Sequence, residues 1–276
     1  MKAEYKIAII GAGNIGLAIA EGLIASKVTK SKNITLTRRK HHLLDQYEQL
    51  GFITTKNNIK AVQNSDIIIL SVEPSQADGV LDEIAEGVEE NHHLLISVVS
   101  GLGIKHIKKR LGKNIDIVRA MPNTAIAIKD SMTCLASTSS NGNSLKTAAA
   151  IFNTLGLTKV IREEQMAPAT ALAACGLAFF LRATRAASQG GIEIGFHAED
   201  AIEIASQTAK GAAGLLLCNR NHPEFEIDKV TTPRGVTISG LNQMEHDGFS
   251  SAMIRGIVTS AEKASRLYVT EEDDEE

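Results

Sequence analysis

Three glycines, Gly11, Gly13 and Gly16, follow the apolar run KIAII and open a helical pattern from Asn14 to Ser26. A G-x-G-x-x-G between a strand and a helix is the pattern of a dinucleotide-binding turn. Gly11 permits the tight turn, Gly13 lets the backbone approach a pyrophosphate, and Gly16 lets the helix pack on the strand. The helix start, with Asn14 and Ile15, then offers free N–H groups to the phosphates. A second candidate cluster ends the next apolar run, in ITLTRRK. The adenosine ribose of a bound dinucleotide is read at that position, where an Asp or Glu would accept hydrogen bonds from the 2′-hydroxyl. This chain has Arg38 and Arg39 followed by Lys40, with no acid. Guanidinium groups pair with phosphate bidentately, so the residues predict NADPH as the preferred cofactor. An arginine can also stack on adenine and accept NADH, and a basic surface turn capping the next helix is the reading without a ligand.

The remaining reactive residue types form no second centre. His41–His42 and His92–His93 are adjacent pairs, which do not share a helix face. They are read as exposed loop or helix residues, and no metal site is expected. His197, at a helix start, and His222, before Pro223, read as structural. Cys134, Cys175 and Cys218 are widely spaced and odd in number, which suits free thiols in a reducing compartment rather than a disulfide framework. There are 29 Lys+Arg against 32 Asp+Glu, for a net charge of −3, and the tail EEDDEE supplies six of the negative charges. The rest is too close to neutral for a nucleic-acid surface. The N-terminus runs directly into a strand pattern without a signal-peptide h-region. No apolar run approaches the roughly 20 residues of a bilayer span. The expectation is a cytoplasmic chain with neither a membrane nor a nucleic-acid partner.

These residues need a scaffold, and the patterning supplies one. KIAIIG, NITLTR, DIIILSV, HLLISVVS and IDIVRAM are near-continuous apolar runs, as in parallel strands buried on both faces. Helical patterns lie between them at residues 14–26, 41–50, 75–86 and 104–110. Alternation of this kind predicts an α/β fold with a doubly wound, Rossmann-type sheet. SMTCLAS and TKVI add strands at one edge. From about residue 164 strand patterns vanish and three alanine-rich helical segments follow. Gly190–Gly191 are read as ending the first, residues 219–223 as ending the second, and the third carries one stripe from Leu241 to Leu267. The expected domains are 1–163, a nucleotide-binding unit, 164–270, an all-helical unit, and 271–276, an acidic tail. An apolar bundle of small residues suits burial against a twin subunit or an ordinary intramolecular core.

Two distant segments are more specific than the glycines. VRAMPNTAIAI resembles the R-x-M-P-N-T-P stretch of pyrroline-5-carboxylate reductases, and TPRGVTISGLNQMEHDGF is similar to that family's S-P-G-G-x-T-I-x-x-L-x-x-L-E-x-x-G segment. IGAGNIGLAIAEGL, LSVEPSQ and ISVVSGLGI match further family stretches in order. The resemblance implies an oxidoreductase that transfers hydride from NAD(P)H to the C=N carbon of 1-pyrroline-5-carboxylate, the last step of proline biosynthesis. It also implies a helical domain that interlocks two subunits, giving a homodimer or a larger homo-oligomer built from dimers. The family's active site lies between the nicotinamide and that helical domain. By residue matching, Asn58 contacts the cofactor, Val72 and Pro74 lie beneath it, and Met121, Pro122 and Asn123 lie beside the nicotinamide, Asn123 also facing substrate. Gly235, Val236 and Thr237 form the turn whose N–H groups hold the substrate carboxylate, and Thr237 serves catalysis near the ring nitrogen. Without the family match, Thr237 reads as a helix N-cap. Hydride transfer needs close positioning of the reacting carbons, while the cofactor carries the difficult step. A protonated cyclic imine needs no dedicated acid.

The chain departs from the family at three places. Glu73 replaces the lysine of A-V-K-P. Ala174–Phe179 replaces G-S-G-P-A-Y, which removes a hydroxyl and predicts a more regular helix. Arg234 replaces a glycine of the carboxylate turn, where it strengthens anion binding unless the turn requires positive φ. These changes keep two alternatives open: a reductase of another small cyclic imine or keto carboxylate, and a non-catalytic nucleotide-binding paralogue.

Overall fold

The computed structural model describes residues 5–139 and 142–267; the acidic tail expected over 271–276 lies outside them. Two compact units are present, one running through Cys175 and resuming at Ser260, the other spanning Gly176–Thr259.

The first unit is built on one eight-stranded sheet of order β3-β2-β1-β4-β5-β6-β7-β8. Its strands are β1 (Ile7–Ile10), β2 (Ile34–Thr37), β3 (Ile53–Thr55), β4 (Ile67–Leu70), β5 (Leu94–Ser97), β6 (Asp116–Met121), β7 (Ser131–Ser137) and β8 (Gly156–Val160). Strands β3 to β6 in this order pair in parallel, β7 runs antiparallel to β6, and β8 is parallel to β7. The helices are α1 (Asn14–Ala25), α2 (Asp45–Gln49), α3 (Asn58–Gln63), α4 (Pro74–Ile84), α5 (Ile104–Leu111), α6 (Asn143–Phe152) and the short α7 (Met166–Ala169). The apolar runs are continuous because both faces of the sheet are covered. Ile7 and Ile9 of β1 and Ile67 and Ile69 of β4 pack into one core, while Ala8, Ile10, Ile68 and Leu70 pack into the other. This is the period of two that a strand imposes. Strand order reverses direction between β1 and β4, where ligands of open α/β sheets bind at the carboxyl ends.

The second unit holds α8 (Gly176–Glu193), α9 (Ala198–Asn219), α10 (Pro223–Lys229), α11 (Val236–His246) and most of α12 (Phe249–Ser265). Several boundaries differ from the sequence reading. The units divide after Cys175 rather than at 163, because Met166, Ala169 and Ala174 pack with Met121, Cys134 and Ala136 beside the sheet. Gly190 and Gly191 do not end α8; the helix runs on to Glu193, and Gly195 takes the positive φ of +109° that turns the chain. Gly191 instead permits close packing, since a Cβ there would lie 3.1 Å from Ala201 Cβ. The last helical segment is two helices, broken at Gly248 with φ +80°.

Two further corrections concern the stretch entering α8. The helical stretch Glu163–Glu193 is, by length and composition, long and apolar enough to cross a bilayer. The sequence reading missed it because the stretch is apolar through Ala, Gly and scattered Leu and Phe, not through a dense run. Its start packs into protein, with Met166, Thr170 and Ala171 buried. Nor is the stretch regular: Thr170–Cys175 is π-helical. Thr170 Oγ1 donates to Met166 O at 2.8 Å, and Ala173 O accepts from Asn123 Nδ2 at 3.0 Å. Met166 O also accepts the Thr170 N–H, so the Thr170 hydroxyl is a second donor to it, and the Asn123 amide is a donor from outside the stretch; π-helical turns are frequent at functional sites.

Candidate dinucleotide site and carboxylate turn

The glycine turn is fixed from both sides. Ala12 N–H donates to Thr37 O at the end of β2 at 2.8 Å, and Ser71 N–H donates to Ile10 O at 2.8 Å. Gly11 has φ +91°, and a Cβ on it would stand 2.5 Å from Val72 Cγ1 and 2.6 Å from Ser71 O. At Gly16 a Cβ would meet Gly11 O at 2.9 Å. These two glycines answer to protein packing. Gly13 does not: a Cβ there meets nothing within 4 Å, so the open space above it is free for a ligand. Gly13 is also the N-cap of α1, with no side-chain cap and no acidic residue in the first turn. Asn14 and Ile15 are the first helical residues, and their N–H groups have no intrahelical partner. The residues present fit a dinucleotide pyrophosphate.

Above the turn lies a cavity of about 650 Å³ whose lining includes Gly11, Gly13, Arg38, Arg39, Asn58 and Val72. Six residues matched from sequence are therefore brought to one cavity. Lys40, Lys56, Glu73 and Glu83 line it as well. Charge is sorted along the strand order, with the cations after β2 and β3 and the acids after β4 and on α4. Amides hold both acids: Glu73 accepts from Gln76 Nε2 at 3.1 Å and Glu83 from Asn58 Nδ2 at 2.9 Å. The Arg38 charge also reaches Tyr47, whose hydroxyl donates to Glu21 at 2.7 Å. Burial first, then Glu21, pushes the Tyr47 phenol up to about 12, against the pull of Arg38.

Other matched residues have structural surroundings. Pro74 is the first residue of α4. Met121 is buried, packing with Cys134, Ala136 and Met166, and Pro122 is buried beside it; neither lines the cavity. Asn123 is the N-cap of a 3₁₀ turn over Thr124–Ile128. Its Oδ1 accepts from Ala125 N–H at 3.0 Å, its Nδ2 donates to Ala173 O at 3.0 Å, and its N–H donates to Ser131 Oγ at 3.1 Å. Asn123 thus ties this turn to the π-helical stretch. Sequence reasoning gave no role to Arg119, which stands buried in β6 beside Glu163 at 3.5 Å. Burial lowers the Arg119 pKa, partly opposed by Glu163, and Glu163 also accepts Ile104 N–H at 2.7 Å. The available signal was a lone arginine inside an apolar strand. His93 is buried as well, which corrects the reading of its pair as exposed. Its Nδ1 accepts Glu89 N–H at 2.8 Å and its Nε2 lies 3.2 Å from Val62 O. No group of three or more His, Cys, Asp or Glu is placed to hold a metal among the described residues.

The turn that the resemblance assigns to the substrate carboxylate lies in the helical unit. Gly235 N–H donates to Thr232 O at 2.9 Å, with Pro233 second and Arg234 third in the turn. Arg234 has φ +60°, the sign that a type II turn demands at its third residue. The arginine therefore keeps the backbone that a glycine would adopt. Gly235 is the N-cap of α11, so Thr237 is its second helical residue and not the cap. A Cβ on Gly235 would stand 2.5 Å from Thr232 Oγ1. Because Gly235 N–H is engaged in the turn, the free donors are those of Val236 and Thr237 at the helix start. Val236 is 91% exposed.

Comparison with known proteins agrees with this architecture. Residues 163–267 match the family model described as pyrroline-5-carboxylate reductase dimerisation, and residues 6–101 match one described as NADP oxidoreductase, coenzyme F420-dependent. Pyrroline-5-carboxylate reductase 1 of Dictyostelium discoideum is 57% identical over 95% of this chain, which spans half, 50%, of that relative's length. Pyrroline-5-carboxylate reductase 2 of the same organism is 48% identical over 96% of this chain and 94% of its own. Among solved structures, the Plasmodium falciparum pyrroline carboxylate reductase with NADP bound superposes with a TM-score of 0.87 at 25% identity, covering 95% of this chain and 98% of that one. The Coxiella burnetii pyrroline-5-carboxylate reductase gives 0.89 at 29% identity, covering 97% and 100%. The glycine turn, the sheet order, the helical unit and this similarity along nearly the whole chain place it in the pyrroline-5-carboxylate reductase family.

Proposed function

We propose that this chain is an NADPH-dependent pyrroline-5-carboxylate reductase that forms L-proline. The observation that carries the reading is the cavity over Gly11 and Gly13, lined by four cations, in a chain 48% identical to a named reductase along nearly its whole length. Bound NADPH supplies the hydride. The α1 N-terminus takes the pyrophosphate through the N–H groups of Asn14 and Ile15, with Gly13, whose own N–H donates to Gly11 O at 2.8 Å, leaving room for its approach. Arg38 and Arg39 take the 2′-phosphate as charge-assisted donors, and Asn58 and Val72 border the adenosine. NADH is accepted less well. At the other pole of the reaction, the N–H groups of Val236 and Thr237 hold the substrate carboxylate against the positive end of α11. The Thr237 hydroxyl serves the ring nitrogen. Asn123 acts through its bond to Ala173, holding the π-helical stretch in place. Most of the rate enhancement is positioning and carboxylate capture.

The working form is a homodimer. Only Ala201 of α9 is buried in the single chain, and none of α11. Phe180 and Leu181 of α8 are 63% and 62% exposed. Contiguous apolar exposure of this kind marks a protein interface, and a second copy is the partner named by the dimerisation model. The setting is the cytoplasm, where the three free cysteines, Cys218 exposed among them, stay reduced.

The test is proline formation from pyrroline-5-carboxylate by the purified protein, with NADPH and NADH compared. Thr237→Ala should lower turnover about 10²-fold, the scale of one catalytic hydrogen bond at a reacting atom, while leaving NADPH affinity intact. Unchanged turnover would remove Thr237 from the site.

A further inference from the structure

We propose that Lys56, at the end of β3, is a specificity-determining residue that grips the 2′-phosphate together with Arg38 and Arg39. The inference rests on the NADPH reading above and extends it to a residue on a different strand. Register brings Lys56 beside Arg38. Thr37 and Thr55 are partners at the carboxyl ends of the parallel strands β2 and β3. Arg38 and Lys56 are the next residues on each, so they leave the sheet side by side, from strands about 4.8 Å apart.

Charge points the same way. Arg38, Arg39, Lys40 and Lys56 line the same cavity, and none makes an ion pair among the described residues. The two acids of the cavity, Glu73 and Glu83, bond to Gln76 and Asn58 and not to these cations, which leaves four positive charges against two negative around it. Like charges gathered around one cavity raise its potential and favour a compact dianion. A phosphomonoester is such an anion, and a ribose 2′-hydroxyl is not.

The backbone of Lys56 is also held on both sides. Asn57 N–H donates to Thr55 Oγ1 at 3.1 Å, and Asn57 Oδ1 accepts Lys60 N–H at 2.8 Å to cap α3. A long side chain on so fixed a turn loses only its own freedom on binding. Lysine acts there as a point charge, while the two arginines supply directional bonds.

Isothermal titration with adenosine 2′,5′-bisphosphate and with 5′-AMP tests this without catalysis. Lys56→Gln should weaken the bisphosphate about tenfold, as befits one charge-assisted contact, and leave 5′-AMP unchanged. Lys56→Arg should restore the bisphosphate affinity. An unchanged bisphosphate affinity in Lys56→Gln, or an equal loss of 5′-AMP, would overturn the proposal. If Arg38→Ala loses the discrimination and Lys56→Gln retains it, Lys56 alone is excluded. Equal affinity of the unaltered protein for both nucleotides would overturn the NADPH reading and the Lys56 role with it.

Discussion

Arg234 holds a backbone conformation that costs a side-chain-bearing residue roughly 1–2 kcal/mol, since its φ is +60°. Arg234→Gly should therefore raise the thermal midpoint, offset in part by glycine's larger entropy loss on folding. A lowered midpoint would mean that the arginine side chain stabilises the turn by more than its backbone costs. His93 couples stability to pH. Burial, then the neighbouring His92, lowers its pKa from the usual 6.5. The unfolded chain then binds the proton more readily than the folded one, so stability is full above about pH 6.5 and falls as pH drops toward the depressed folded value. Unfolding midpoints measured across pH 5 to 8 should show this slope, and His93→Gln should flatten it. The glycines and arginines of the cavity were legible because each stands next to a strand end that the sequence marks. The burial of His93 was not, because it depends on packing against Val62, thirty-one positions earlier in the chain.

Among the elements, the turn from β1 to α1 is the most demanding. A methyl group at Gly11 would need space occupied by Ser71 backbone and Val72, at a φ disfavoured for alanine. Gly11→Ala should destabilise the first unit by about 1–3 kcal/mol and weaken NADPH binding, both measurable by chemical unfolding and titration. A variant with native stability and affinity would show that the turn can relax. Strands with dense Ile and Leu could be read directly, and so could the presence of β7 and β8 at one edge, though not the antiparallel turn from β6 into β7. The edge strand β3, with three residues and one exposed isoleucine, left too weak a pattern. The helix ends at Glu193 and His246 were obscured for opposite reasons. Gly191 serves close packing with Ala201 instead of stopping α8, and Gly248 breaks a stripe that looks continuous by spacing alone. The π-helical stretch before α8 accepts a bond from Asn123, fifty positions earlier, which no local pattern announces.

At the scale of the whole molecule, the helical unit explains the composition of the second half of the chain. Its helices leave Leu217 and Ile254 at 67% and 61% exposure in the single chain. Leu181→Glu combined with Ile254→Glu should shift the protein from dimer to monomer in light scattering, because a buried interface does not accommodate unpaired charge. A dimer of unchanged stability would place the interface elsewhere. The sequence pattern left open whether the bundle covers itself or is covered by a twin, since both need the same apolar stripes. The exposure of those stripes in the structure favours the twin. The most direct measurement of the central proposal follows the hydride itself. NADPH deuterated at the transferable C4 position, incubated with the protein and pyrroline-5-carboxylate, should yield proline carrying one deuterium on the carbon of the former C=N bond. Proline without that label, or oxidation of the cofactor without proline, would contradict it.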